Sequence, residues 1–238
     1  NDLIKFILNN KLTFIAVHIL LGYGSSLLRG SNILKIVWVL IIGVFIINII
    51  FKNNRDEEAF LFAAYISAAE VFIRMSKAMI LYETGKYSVI LFLIIGVFVG
   101  KFKQKFSVTL AFYLLLLLLG IVFTRVPEGE YIRKAIAFNL SGPFVLGIAG
   151  LYFYKRNITK ENLSNALFFM LLPLFSMVTY LYFKTPDLRE VVFGGAANFA
   201  TSGGFGPNQV ATAIGLGIFI ISVLILMKKR VTGYLLLD

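Results

Sequence analysis

The chain has 238 residues with a formal net charge of +11, of which 59% are hydrophobic and only 15% are charged, and its mean hydropathy is +0.86. Apolar runs recur along almost its whole length, and a membrane-spanning helix needs about 20 such residues, so this composition excludes an ordinary soluble domain. The lack of cysteine excludes disulfides, thiolate metal sites and a cysteine nucleophile, and the single histidine, His18, excludes a histidine metal cluster.

The apolar runs predict an all-α, polytopic transmembrane bundle of about eight spans, forming a single integral-membrane domain over residues 1–238. The first span contains His18, the third contains Glu70, and the sixth and seventh contain Pro143 and Pro173, which we expect to kink their helices. No internal repeat is visible, which argues against an inverted-repeat transporter. The predicted spans are residues 12–28, 36–51, 59–73, 87–100, 107–123, 135–154, 163–183 and 210–227.

The positive charge lies in short segments between the apolar runs rather than on one soluble face, so we predict the lipid bilayer, and no nucleic acid, as a partner. The segments KFKQK, YKRNITK and KKR are short, dense in cations and nearly free of acids. Because such segments stay in the cytoplasm, we predict a cytoplasmic N-terminus. The remaining loops mix cations with acids and are predicted to face outward.

A glycine-rich segment, residues 194–213 (GGAANFATSGGFGPNQVATA), interrupts the apolar pattern just before the eighth span. Its glycines and Pro207 exclude a continuous helix there, and irregular backbone at membrane depth persists only where protein buries it or a wet cavity adjoins it. Pro207 suits the first turn of the following helix, which would direct Asn208 and Gln209 towards a cavity. A flexible outer loop with an ordinary helix cap is the alternative.

Several arginines on the predicted outer face suggest an anion site. Arginine binds phosphate well because its planar group donates two hydrogen bonds at once and stays charged. Snorkelling towards lipid headgroups is the alternative interpretation for each of them. The candidates lie at membrane edges and are Arg74, Arg125, Arg133 and Arg189.

Glu70 and Arg74 are four residues apart in the third span, so they can form an ion pair on one helix face. Alternatively, Arg74 contacts a ligand while Glu70 orients it or acts as a catalytic base. His18 is expected to be a hydrogen-bonded interior residue rather than a catalyst. No metal site and no cofactor are predicted.

The motif FGPNQVA, residues 205–211, resembles the element that leads into a long helix in the O-antigen ligase and O-antigen polymerase superfamily of bacterial inner-membrane proteins. Three further stretches are similar to parts of ligase-type sequences: AEVFIRMSK (69–77), YETGKY (82–87) and IAFNLSGPFVLG (136–147). The resemblance covers most of the chain in its general arrangement, and it is detailed only in these motifs.

The resemblance implies a metal-independent, inverting transfer of a glycan from an undecaprenyl-diphosphate donor to a sugar acceptor at the periplasmic face. It implies that arginines hold the diphosphate and that a base activates the acceptor hydroxyl. The family continues with a Ser-x-x-Arg-like helix and a large loop containing Arg and His, and neither follows Arg230. We therefore expect a fragment, incomplete at both ends, that lacks the base.

Two other functions fit the sequence. A transporter or flippase for an anionic or lipid-linked solute would use the glycine-rich segment as a gated site. A membrane scaffold would bind only lipid through its outer loops.

Overall fold

The computed structural model describes residues 2–100, 105–129, 131–185 and 199–234, and every regular element in these ranges is helical. A short 3₁₀ turn, Ala200–Ser202, precedes the last helix. The α-helices are α1 (Leu3–Asn9), α2 (Lys11–Leu27), α3 (Asn32–Lys52), α4 (Glu58–Met75), α5 (Thr84–Val99), α6 (Val108–Val122), α7 (Ile132–Phe153), α8 (Lys160–Lys184) and α9 (Pro207–Tyr234).

Helices α2 to α9 coincide with the eight predicted apolar runs, so the all-helical class is confirmed. Helix α1 was not predicted, because its seven residues are too few for a span. It meets α2 at an angle of 94°. The side-chain amide of Asn10 donates a hydrogen bond of 2.9 Å to the carbonyl of Phe6 and thereby satisfies the end of α1.

The prediction of about eight spans is met only in part. By length and composition, four described helices can cross a membrane: Asn32–Lys52, Ala135–Phe153, Lys160–Lys184 and Pro207–Lys228. The bent pair of α1 and α2 would make a fifth. Helices α5 and α6 have only 16 and 15 residues, and α4 carries Glu58, Glu70 and Arg74, so apolar character alone overestimated the number of full-length spans.

Helix α4 occupies the centre of the described bundle, between α5 and α8. Ala59, Ala69, Phe62 and Phe72 on this helix are fully buried, and the small alanines allow neighbouring backbones to approach closely. The Phe62 ring stacks on that of Phe45 from α3, with centroids 4.1 Å apart. Because protein rather than lipid surrounds α4, this helix can carry charged side chains.

Gly22 and Ser176 join α2 to α8. A methyl group at residue 22 would lie 2.3 Å from the carbonyl oxygen of Ser176, so only glycine allows this approach. The Ser176 hydroxyl donates a hydrogen bond of 2.8 Å to the carbonyl of His18. The His18 ring is itself buried and bonded, with Nδ1 2.7 Å from the carbonyl of Phe14 and Nε2 2.9 Å from the hydroxyl of Tyr65, as expected for an interior residue.

Successive long helices run in opposite directions, so their connections collect at two ends of the bundle. At the Gly-rich end (residues 28–31, 76–83, 123–129, 131 and 199–206), the backbone amide of Gly30 donates a hydrogen bond of 2.9 Å to the carbonyl of Ser76. At the α1 end (residues 2–10, 53–57, 105–107 and 154–159), the side-chain amide of Asn54 donates a hydrogen bond of 3.1 Å to the carbonyl of Gly96. Pro143 and Pro173 lie inside α7 and α8, and both helices continue past them.

Candidate functional site

Four charged side chains meet at the Gly-rich end, and we call them the α4–α5 charge cluster: Glu70, Arg74, Glu83 and Lys86. Arg74 Nη2 lies 2.6 Å from Glu70 Oε1 and 2.5 Å from Glu83 Oε2. Lys86 Nζ lies 2.8 Å from the same Glu83 oxygen. Two carboxylates and two cations balance each other, which is the usual condition for charges away from water.

The turn between α4 and α5 places Glu83 in this cluster. The Thr84 hydroxyl oxygen accepts hydrogen bonds from the amides of Ile80 and Leu81, at 3.1 and 2.9 Å. Glu83 then stands immediately before the first turn of α5, with its side chain fully buried. A carboxylate is stabilised there because the N-terminal end of a helix carries partial positive charge.

Gly85 brings α5 against Glu70. A methyl group at residue 85 would lie 2.1 Å from Glu70 Oε2, within the volume of that oxygen. Residue 85 must therefore lack a side chain if α5 is to approach α4 at this point.

Two further side chains border the cluster. Lys86 Nζ donates a hydrogen bond of 3.1 Å to the hydroxyl of Ser141, which ties α5 to α7. The Tyr82 ring lies 5.3 Å from the Arg74 guanidinium, which is cation–π distance. The cluster thus connects three helices, and removing one member of such a buried pair typically costs about 3–5 kcal/mol.

The mutual ion pair predicted for Glu70 and Arg74 is present, and Glu83 adds a second carboxylate to Arg74. Both carboxylates bond the same atom, Arg74 Nη2, and together they neutralise the guanidinium, which weakens its attraction for a phosphate. The geometry therefore favours a positioning role for Arg74 and Glu70. Sequence reasoning had not singled out Glu83 and Lys86, because pairings across a turn have no fixed spacing.

The other predicted binding residues lie apart from the cluster in the described contacts. Arg125 follows α6 and Arg133 lies in the first turn of α7, and both are exposed. Asn208 and Gln209 are exposed in the first turn of α9. Arg189 lies outside the described residues.

The described part of the glycine-rich segment, residues 199–213, is broken as predicted, and α9 begins at Pro207. Gly203 and Gly204 have left-handed φ angles of +65° and +74°, which favour glycine. A methyl group at residue 203 would lie 3.1 Å from Met75 Cε and 3.2 Å from the Tyr180 ring. The segment therefore packs on the ends of α4 and α8.

Arg29 lies beside this segment and Lys77 lies beside Gly30, and sequence reasoning had not chosen either cation as a binding residue. Arg29 Nη2 donates a hydrogen bond of 3.4 Å to the carbonyl of Gly204. Gly30 has a left-handed φ of +77° and lies against Lys77: a methyl group at residue 30 would be 3.8 Å from Lys77 Cβ. Both cations are exposed, and within the described ranges neither forms an ion pair with a carboxylate. The sequence signal that could have pointed to this position is the pair Arg29-Gly30, in which a cation precedes a turn-forming glycine.

A second buried cluster lies at the α1 end. Arg156 Nη2 is 2.9 Å from Glu57 Oε2, and the Tyr152 hydroxyl donates 3.1 Å to the same carboxylate. The side-chain amide of Asn54 donates 3.1 Å to the Tyr152 hydroxyl. These side chains are buried and tie the α3–α4 turn to the end of α7, so we interpret this cluster as structural.

The described residues contain no group of three or more His, Cys, Asp or Glu side chains that could hold a metal ion. Comparison of the chain with models of protein families, with curated proteins and with solved structures finds no match.

Proposed function

We propose that the chain is part of a bacterial inner-membrane protein of the O-antigen ligase or polymerase type, with its N-terminus in the cytoplasm. Its substrate would be a glycan linked to a polyprenyl diphosphate, which is transferred to a sugar acceptor. The diphosphate would bind at the Gly-rich end, on the periplasmic side.

The observation that carries this proposal is the position of Arg29 beside Gly204, together with that of Lys77 beside Gly30, the residue that follows Arg29. Two exposed cations next to backbone that has no side chains form a surface that a diphosphate can approach closely. These membrane-edge cations have no carboxylate partners in the described chain. Their positive charge is therefore not neutralised and can attract an anionic ligand. We therefore assign the primary phosphate contacts to Arg29 and Lys77.

The predicted residues take a secondary place in this proposal. Arg125, Arg133, Asn208 and Gln209 are exposed at helix ends and would contact the glycan or the outer phosphate, and Arg189 belongs to the same predicted set. Arg74 and Glu70 would fix the position of α5 and the glycine-rich segment next to them. In the transfer reaction the lipid diphosphate is the leaving group, so cations that stabilise its developing charge would lower the barrier. We assign no base within the described chain.

The test is glycan assembly by the full-length protein in cells that lack the natural copy. Arg29→Ala and Lys77→Ala should each lower the amount of polymer or ligated product by about 10-fold or more, as expected for one phosphate contact of about 1.5–3 kcal/mol. Both variants should accumulate to normal levels, because both side chains are exposed. Arg55→Ala, an exposed cation at the α1 end, is the matched control and should retain full activity. Normal product with Arg29→Ala and Lys77→Ala would disprove the phosphate site.

One observation favours the alternative of a transporter or flippase for an anionic or lipid-linked solute. Ionisable side chains inside a membrane bundle often mark a solute path, and α4 carries or adjoins such side chains at both ends. Uptake of an anionic solute into proteoliposomes without any lipid-linked sugar would support this function over glycan transfer.

A further inference from the structure

A long apolar groove lies between α2 and α3, at the side of the bundle away from the charge cluster. Helix α2 packs on α8, whereas α3 packs on α4 and α5, so a gap remains between α2 and α3. We call this gap the α2–α3 groove. Val17 forms one wall and Val44 the other, and Tyr65 and Phe169 form the floor. Its volume is about 360 Å³, within the range of roughly 300–1,000 Å³ that is usual for small-molecule sites.

The groove offers an apolar surface to its occupant. Among the described residues, its titratable lining groups are His18 and Tyr65, and these are hydrogen-bonded to each other at 2.9 Å. His18 Nδ1 is bonded to the carbonyl of Phe14. Because these polar atoms are satisfied within the protein, the groove favours a hydrocarbon chain over a polar solute.

The dimensions of the groove match a chain from one leaflet of a bilayer. Its α3 wall extends from Val37 to Phe45, which at about 1.5 Å per residue makes roughly 12 Å. The hydrocarbon core of a bilayer is about 30 Å thick, so one leaflet contributes about 15 Å. Exposed apolar side chains such as Leu40 lie along the groove, so a chain can enter sideways from the bilayer.

Helix α1 closes the groove at the α1 end and adds positive charge there. Leu3 lines both the groove and a more polar pocket that Asp2, Lys5 and Asn9 also line. Lys52 Nζ lies 3.2 Å from Asp2 Oδ2 and neutralises that acid. Lys5 is exposed and belongs to no ion pair among the described residues, so a cation stands where a headgroup would lie.

We propose that the α2–α3 groove is a specific site for one acyl chain of an anionic phospholipid, with Lys5 at its phosphate. The apolar groove and the cationic pocket share Leu3, so one amphiphilic molecule can occupy both. The headgroup position at Lys5 is at the opposite end of the bundle from the glycine-rich segment, and the site does not rest on the proposed function.

Trp38 provides a built-in reporter for this site. It is the only tryptophan of the chain, and it is fully buried. Its ring centroid is 6.4 Å from that of Tyr65, which forms the groove floor. A heavy-atom quencher on a chain in the groove would therefore come close to Trp38.

The experiment measures Trp38 fluorescence in phosphatidylcholine vesicles that contain a minor fraction of lipid with dibrominated acyl chains. Dibrominated phosphatidylglycerol should quench Trp38 more than the same fraction of dibrominated phosphatidylcholine. Val44→Phe and Val17→Phe, which fill the groove from opposite walls, should each abolish this excess quenching. Lys5→Ala should remove the difference between the two headgroups.

Ile47→Phe is the matched control, because Ile47 is exposed on α3 and does not line the groove; it should retain the excess quenching. Equal quenching by the two brominated lipids in the unmodified protein would overturn the proposal. Excess quenching that persists in both Val44→Phe and Val17→Phe would overturn it as well. Two filling variants are used so that poor folding of one still leaves a decisive result.

Discussion

Gly85 lies against the carboxylate of Glu70 with no room for a side chain, since a methyl group at residue 85 would be 2.1 Å from Glu70 Oε2. Because α5 approaches α4 this closely, Glu83 at the start of α5 reaches Arg74. The packing of α5 on α4 and the neutralisation of Arg74 therefore depend on the absence of a side chain at residue 85.

Gly85→Ala should destabilise the protein by roughly 1–3 kcal/mol, the usual cost of overpacking. The added methyl group must push Glu70 away from Arg74 or move α5. The thermal unfolding midpoint in detergent measures this loss. Gly43→Ala, a helical glycine with nothing within 4 Å of the new methyl group, should be neutral or stabilising. Equal midpoints for Gly85→Ala and the unmodified protein would contradict the observed packing.

Glu83→Gln should be more damaging, by about 3–5 kcal/mol, because it leaves buried cations with too little negative charge. The substitution preserves shape and removes only the charge that faces Arg74 and Lys86. Unfolding in detergent and the yield of folded protein are the measurements. Glu128→Gln, in an exposed loop, serves as the control and should change neither quantity.

Gly22→Ala and Gly24→Ala form a matched pair on one helix. The first methyl group would lie 2.3 Å from the carbonyl oxygen of Ser176, whereas the second would meet nothing within 4 Å. Gly22→Ala should separate α2 from α8 and lower the unfolding midpoint by several degrees, and Gly24→Ala should not. Similar midpoints for the two variants would show that α2 does not pack on α8 as described.

Tyr152→Phe tests the cluster at the α1 end. It removes a hydroxyl that donates to Glu57 and accepts from Asn54, and the loss of these two hydrogen bonds should cost about 1–3 kcal/mol. The comparison is with Tyr131→Phe, whose side chain is 82% exposed and whose change should be silent. Equal stability of both variants would mean that the Tyr152 hydroxyl is dispensable.

The sequence predicted the positions of the long helices well, because apolar runs and their charged boundaries are local signals. It also predicted the break before Pro207, since the glycines and that proline disfavour a continuous helix through the segment. It predicted about eight spans where four or five helices are long and apolar enough to cross a membrane, because apolar runs do not show that α5 and α6 are short and that charged side chains interrupt α4.

The sequence predicted less of the candidate site. The Glu70–Arg74 pair was accessible, because a spacing of four residues places both side chains on one helix face. Glu83 and Arg29 were not, since their positions depend on the turn at Thr84 and on the docking of the glycine-rich segment. Such contacts join residues far apart in sequence, and spacing alone does not predict them.

Ion pairs hold helix α4 at both of its ends. Glu57, before its first turn, pairs with Arg156, and Arg74, in its last turn, pairs with Glu83. Sliding of this helix along its axis, or rotation about it, would separate at least one of these ion pairs inside the bundle. We therefore expect α4 to keep its position in the bundle during any conformational change. Movements within the bundle should occur at the periphery instead, for example in α6, where Leu114 is the only buried residue of the helix.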